Sequence, residues 1–252
     1  MSELRGILSL WKREIMRYLR DRTRVASSFF QPLLWLVIFG TGLGSSIRVG
    51  VGMNYQEFIF PGIIGQTLLF TSMFMGISLI WDRQFGFLKE ILVAPISRIS
   101  IFIGKMLGVS TDSMIQGMIV MLLGFLIGIR ITLPMVLEVV PLMVLITLGM
   151  ACIGLTLASF MDSLESYGTI MTFVNMPMFF LSGALFPVYN LPAWLQWVVY
   201  IDPLTYGVDA LRAIILGSAH VSPFPFYMDL AIIIAFDGFM ILAGTYAFSM
   251  RK

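Results

Sequence analysis

Residues 81–107 read WDRQFGFLKEILVAPISRISIFIGKML, a charged seam set between two long apolar runs. No Asp, Glu, Lys or Arg occurs between Glu57 and Asp82, and the next apolar run begins at Ile99. Read as a helix, Phe85, Leu88 and Ile91/Leu92 recur at the three-to-four spacing of one face, while Arg83, Lys89 and Glu90 lie off it. Pro95 predicts a stop near Ala94, because proline disfavours the α conformation in the residue before it. The insert is too short to be a domain. Its neighbours are each long enough to cross a bilayer, so it has the form of an amphipathic linker at a membrane surface.

Composition extends that reading to the whole chain. Of 252 residues, 58% are hydrophobic and 12% charged, against about 25% charged in soluble domains. The expectation is an all-α integral membrane protein forming one transmembrane domain over 1–252. Six candidate spans follow one another: 25–47, 58–81, 100–129, 133–160, one beginning near Ser166, and 230–250. The fifth does not fit a simple hairpin. No charge occurs from 166 to 201, and one helix of that length would be about 54 Å long, well beyond a hydrocarbon core of about 30 Å. Gly183, Pro187, Asn190 and Pro192 supply a break, and Asp202-Pro203 then reads as an N-cap with proline at the first helical position, closed by Gly217. Two short helices within 188–217 are expected to dip back into the outer half of the membrane, packed against protein.

The cations set the orientation. Of 16 lysines and arginines, 13 fall on the amino-terminal side: seven in residues 5–24, then Arg83, Lys89, Arg98 and Lys105, then Arg251 and Lys252. Only Arg48, Arg130 and Arg212 fall on the other side. Both termini and the 82–98 loop are therefore expected in the cytoplasm. Residues 1–24 are themselves amphipathic: Leu4, Ile7, Leu8, Trp11, Ile15, Tyr18 and Leu19 keep the helical period among five basic residues, the pattern of a helix in the headgroup region facing anionic lipid. That apolar face argues against a nucleic-acid-binding arm. No uninterrupted apolar core with a cleavage site marks a signal peptide.

Most catalytic chemistry is excluded. Gly104-Lys105 is followed by Met106 and preceded, at the required spacing, by Ile99, so it is no phosphate-binding loop. One histidine, His220, and one cysteine, Cys152, cannot make a His/Cys metal cluster or an internal disulfide. No nucleophile elbow occurs. No catalytic residue, metal or resident cofactor is expected. Within the spans, Lys105, Asp112 and Asp237 are the polar candidates, because a charge in lipid must face a partner or a watery path. Asp112 is placed to pair with Lys105, Asp237 to hydrogen-bond within the bundle, and Glu138 to sit near the outer interface. An ion-coupled secondary transporter or a channel using Asp112 and Asp237 is the alternative functional reading. Gly40/Gly44, Gly104/Gly108 and Gly124/Gly128 form G-x-x-x-G pairs suited to close helix approach, within one protomer or between two.

The order Phe85-Gly86, Lys89-Glu90, Ile91-Leu92, Ala94-Pro95 and then Gly104-Lys105 resembles the cytoplasmic loop of type-2 ABC transporter permeases. YQEFIFPGI before the second span, LSGALFP, and LPAWLQWVVYIDPLTYGVDALR resemble the same family's second span and external re-entrant hairpin. The resemblance covers nearly the whole chain, in feel closest to the daunorubicin- and multidrug-resistance-like exporters, with the polysaccharide-export branch as a rival. It implies a cell-membrane permease whose 1–24 segment is an interfacial elbow and whose 82–98 segment couples to a separate ATPase through Arg83, Phe85, Gly86, Lys89, Glu90 and Pro95. It implies a homodimer paired with two ATPase copies that carry the ATP and Mg²⁺, exporting a drug-, lipid- or glycan-like substrate. Asp-Arg-Gln before Phe85 departs from the more uniformly charged run common in the family.

Overall fold

The computed structural model describes residues 3–42, 54–188, 191–217 and 223–250, and among them it contains helices and no strand. The helices are α1 Glu3–Arg20, α2 Arg22–Gly42, α3 Tyr55–Phe74, α4 Ile77–Gln84, α5 Phe87–Val93, α6 Arg98–Leu123, α7 Leu133–Phe160, α8 Leu164–Leu181, α9 Ala193–Ile201, α10 Pro203–Leu216 and α11 Phe226–Met250. Four helical stretches are long and apolar enough to cross a membrane: Tyr55–Gln84, Arg98–Ile127, Leu133–Phe160 and Phe226–Met250. The chain is thus a membrane protein. The first expected span is covered by α2, whose apolar part is Phe30–Gly40, and by 43–47, which lies outside the described residues. The fifth is α8, in which Glu165, Asn175 and Pro177 dilute the apolar content.

The centre of the bundle is α3, in which a continuous run from Phe58 to Leu69 is buried. Residues that are apolar all round suit a helix covered on every side, and α3 packs against α2, α6, α7, α8 and α10. At one end, Tyr55 donates its hydroxyl to Leu185 O at 3.0 Å. Gly62 lies where an added Cβ would strike the Ala184 backbone. The chain therefore passes close over α3 where the 166–201 run breaks, with Gly183 at φ +70°. Beyond the break, Asp202 caps α10 by accepting from Leu204 N at 2.9 Å, and α10 buries most of its length against α3, α7 and α11. Arg212, counted above with the external cations, is one of those buried residues: its Nη2 donates to Gly183 O at 2.9 Å and its guanidinium lies 4.1 Å from the Phe58 ring centre.

At its other end α3 breaks at Met75–Gly76 and resumes as α4. An added Cβ on Gly76 would strike the Gly154 backbone and the Tyr167 hydroxyl, so glycine permits α7 and α8 to close on the break. The Tyr167 hydroxyl lies within hydrogen-bond reach of both Met73 O and Gly154 O, at 2.5 and 3.2 Å. From the other side of the same contact, a Cβ on Gly154 would meet the Met73 backbone. A backbone cannot yield as a flexible side chain does. Gly154→Val is therefore expected to destabilise the protein by roughly 1–3 kcal/mol, read as a lowered melting temperature in detergent; an unchanged melt would show that α3 and α7 can separate freely.

Candidate functional site

The residues of the 81–107 seam meet α1, and the meeting depends on glycine. Gly6, Leu10, Glu14 and Tyr18 form the buried stripe of α1. This stripe lies along α6, where added Cβ atoms on Gly104 and Gly108 would strike Leu10 and Glu14. The Gly104/Gly108 pair thus serves a contact within the chain. Trp11 Nε1 donates to Thr111 Oγ1 at 2.9 Å. At the start of α6, Glu3 accepts from Ser97 N and Oγ at 3.0 Å each. Hydrogen bonds from Ser100 and Ser97 hold the Glu3 carboxyl below its usual range.

These close approaches place Lys105 among acids. Its side chain is 1% exposed, and Nζ lies 2.5 Å from Asp82 Oδ2 and 3.2 Å from Glu14 Oε1. The spacing that favours Lys105 beside Asp112 on one helix is overridden by carboxylates from α4 and α1. Arg13 completes the cluster, with Nη2 2.6 Å from Asp82 Oδ1 and Nη1 3.3 Å from Oδ2, a two-pronged contact suited to the planar guanidinium.

The next residue faces elsewhere. Arg83 Nη1 donates to Met161 O and Asp162 Oδ1, both at 2.8 Å, and Nη2 to Ser159 O at 3.2 Å. It closes the end of α7 and ties α4 to the α7–α8 loop. The single helix expected over 81–94 is two: α4 ends at Gln84, Gly86 adopts φ +80°, and α5 runs to Val93. That backbone region favours glycine. The break also rotates the apolar face, leaving Phe85 76% exposed while Leu88 is 7% exposed. Ala94 is extended ahead of Pro95, where the stop was expected. Lys89, Glu90 and Pro95 are exposed, and Val93 is 87% exposed. The outer side of α5 is uncovered.

Residues 5–216 match the family described as ABC-2 type transporter. The chain belongs to the ABC-2 type transporter family. It is 32% identical over 214 residues to a putative transport permease, ycf38, of Cyanophora paradoxa, covering 83% of this chain and 73% of that one. It is 25% identical over 213 residues to nodulation protein J of Rhizobium leguminosarum bv. viciae, covering 83% and 82%. A probable doxorubicin resistance ABC transporter permease protein, DrrC, of Mycobacterium tuberculosis is 25% identical over 213 residues, covering 84% and 77%. As an ABC-2 permease, the chain is the membrane subunit of a transporter whose ATP acts through a partner ATPase.

Elsewhere in this ABC-2 permease the polar candidates stand apart from the cluster. Asp112 is fully buried further along α6. Asp237 is 5% exposed, and among the described residues neither carboxylate oxygen has a hydrogen-bond partner. The carboxyl fits beside Gly149 of α7, where a Cβ would collide with it. Glu138 is exposed near the start of α7 and Cys152 is buried against Met106. His220 lies outside the described residues, and among those described no group of three or more His, Cys, Asp or Glu could hold a metal. Gln66 and Gln116 are polar within apolar runs but carry no charge to mark them in the sequence. They border a small notch with Gln31, Trp35 and Thr71, and Thr71 Oγ1 donates to Gln116 Oε1 at 3.0 Å.

Removing one partner of a buried ion pair costs about 3–5 kcal/mol, because it strands the other charge. Lys105→Met is expected to lose about that much by strandng Glu14, while Asp82 keeps Arg13. Adding Glu14→Met removes the stranded charge and is expected to recover more than half of the loss. A double-mutant cycle from denaturation in micelles checks this, and simply additive losses would deny the coupling.

Proposed function

We propose that the chain is the permease of an ATP-driven exporter, docking its ATPase on the uncovered side of α5. The observation that carries this is the exposure of Lys89, Glu90 and Val93 on the short helix α5, which is anchored only from behind, and of Phe85 and Pro95 just before and after it. Behind it, Leu88 is buried and the Arg13 guanidinium lies 5.2 Å from the Phe87 ring centre. Exposed aromatic and charged groups on a small rigid helix suit a protein partner, with the aromatics as anchors and the charges fixing orientation.

The anchoring supplies a mechanism. A push on α5 passes through the Gly86 turn to α4. There Asp82 hands it to α1 and α6, and Arg83 hands it to the end of α7. Closure of the ATPases thus acts on several spans together, which is what opening a path requires. In this reading the domain has six spans, with α2 and α8 added to the four long ones. The helices α9 and α10 form the external re-entrant hairpin. Both termini are cytoplasmic, and the permease acts in the cell membrane as a homodimer with two ATPase copies.

The proposed cargo is amphipathic, a drug-, lipid- or glycan-like molecule taken from the cytoplasm or inner leaflet. A relative named for doxorubicin resistance and the polar notch within apolar walls support that class. Membership of the ABC-2 family gives ATP precedence over ion coupling through Asp112 and Asp237.

Glu90→Ala and Lys89→Glu are expected to cut transport and its stimulation of ATP hydrolysis at least several-fold, while leaving the melt within about 0.5 kcal/mol of wild type, as exposed substitutions do. The assay is a reconstituted permease–ATPase complex in vesicles. Normal coupling in both variants would sink the docking role.

A further inference from the structure

Between α1 and the α4–α5 turn lies an open cleft of about 470 Å³ that shares only Phe85 with the exposed residues of the proposed ATPase-docking face. Arg13, Arg17 and Arg20 line one side, with Trp81, Phe85 and Phe87 among the other lining residues. We infer that this cleft binds the phosphate of an anionic phospholipid headgroup from the cytoplasmic leaflet.

Charge accounting comes first. Asp82 is the one acid lining the cleft, and its two oxygens are taken by Lys105 and Arg13. Glu14, the other acid of the cluster, turns to Lys105 behind the cleft wall. Arg17 reaches only to 3.8 Å from Asp82, an ion pair too long for a hydrogen bond. Its Nη1 is buried with no hydrogen-bond acceptor. The guanidinium is nevertheless held in place, 4.9 Å from the Trp81 ring centre. A fixed guanidinium with an unused donor beside a second arginine, Arg20, matches a phosphate, which offers several acceptor oxygens and the charge the cluster lacks.

The membrane supplies the source. On α1 the exposed Leu4, Leu8 and Leu19 form an apolar stripe, beside a basic one that includes Arg5, Lys12 and Arg20. Such a helix rests its apolar stripe on acyl chains with its cations at headgroup level. Met16, which lies on the basic arc one turn from Leu19, lines the cleft and is 41% exposed. A lipid with its phosphate on Arg17 therefore has a place for its chains beside Met16 and the leucines. A soluble anion has no use for that stripe. The inference depends on α1 lying at the inner leaflet and is independent of the ATPase contact on α5.

Native mass spectrometry of the full chain in detergent tests it, with phosphatidylglycerol, phosphatidylcholine and inorganic phosphate as probes. Both lipids carry the phosphate, but the choline cation of phosphatidylcholine cancels its charge beside the uncompensated arginines, so wild-type protein is expected to retain phosphatidylglycerol over phosphatidylcholine on the order of tenfold. R17Q/R20Q is expected to lose that preference. Arg17 makes no hydrogen bond that the fold needs, so the Asp82 cluster survives in this variant. R5Q/K12Q, which removes the same charge from α1 outside the cleft, is expected to keep the preference. Equal retention of the two lipids by wild type, or equal loss in both double variants, overturns the inference. So does displacement of phosphatidylglycerol by millimolar inorganic phosphate, which would assign the cleft to a soluble anion.

Discussion

The ammonium of Lys105 cannot leave Asp82 and Glu14 without stranding a buried charge, and the packing of α1, α4 and α6 depends on that constraint. The three groups come from α6, α4 and α1, elements that share no local sequence. A buried ion pair contributes little net stability over an apolar core of the same shape, yet breaking one is expensive. Its effect is therefore on geometry. It binds three helices into one unit that moves together, and the glycines at 104 and 108 bring the backbones near enough for the side chains to meet.

Asp82 and Arg83 extend the constraint through elementary helix geometry. Neighbouring residues on a helix point about 100° apart, since there are about 3.6 residues per turn. So Asp82 faces α1 and α6, while Arg83 faces the carbonyls at the end of α7. A third direction is left for the chain to leave α4. Continuing the same helix would carry Leu88 and Phe85 round together, as the apolar period demands. The left-handed turn at Gly86 separates them, burying one and exposing the other. The helix held by the ion cluster, α4, and the helix with the uncovered outer side, α5, are thus joined by a single glycine turn.

Much of this was legible beforehand. Residues 133–160 read as a span and are α7 to the residue, because Pro134 opens the helix and polar residues follow Phe160. Asp202-Pro203 and Gly217 bound α10 as capping chemistry dictates, and Pro95 stops α5. Local signals sufficed there. What escaped were the partners. Lys105 and Asp112 lie about two turns apart on one helix and are the pair that spacing can see. Glu14 lies 91 residues from Lys105 and Asp82 lies 23, and no periodicity relates residues on different helices. Arg83, read only as lying off the apolar face of the loop, likewise gives no local sign that α7 ends beside it. The amides of Gln66 and Gln116 were hidden for another reason: they add no charge to mark them within an apolar run.

The helices α3 and α4 join the two ends of the bundle. At one end α3 is gripped by the Tyr55 bond to Leu185 and by Arg212 against Phe58; at the other end α4 is gripped by the ion cluster. Between them the axis is interrupted at Met75–Gly76, and breaks in the backbone ladder are where helices kink. Yet the break is not loose. Tyr167 has one hydroxyl proton and two carbonyls within reach, Met73 O and Gly154 O, so it can donate fully to only one at a time. A bend that drew Met73 away would leave Gly154 to take the proton, keeping the hydroxyl satisfied in both arrangements. Two satisfied states joined by a small displacement are what a switching element needs, and no other described contact between α3, α7 and α8 offers that exchange.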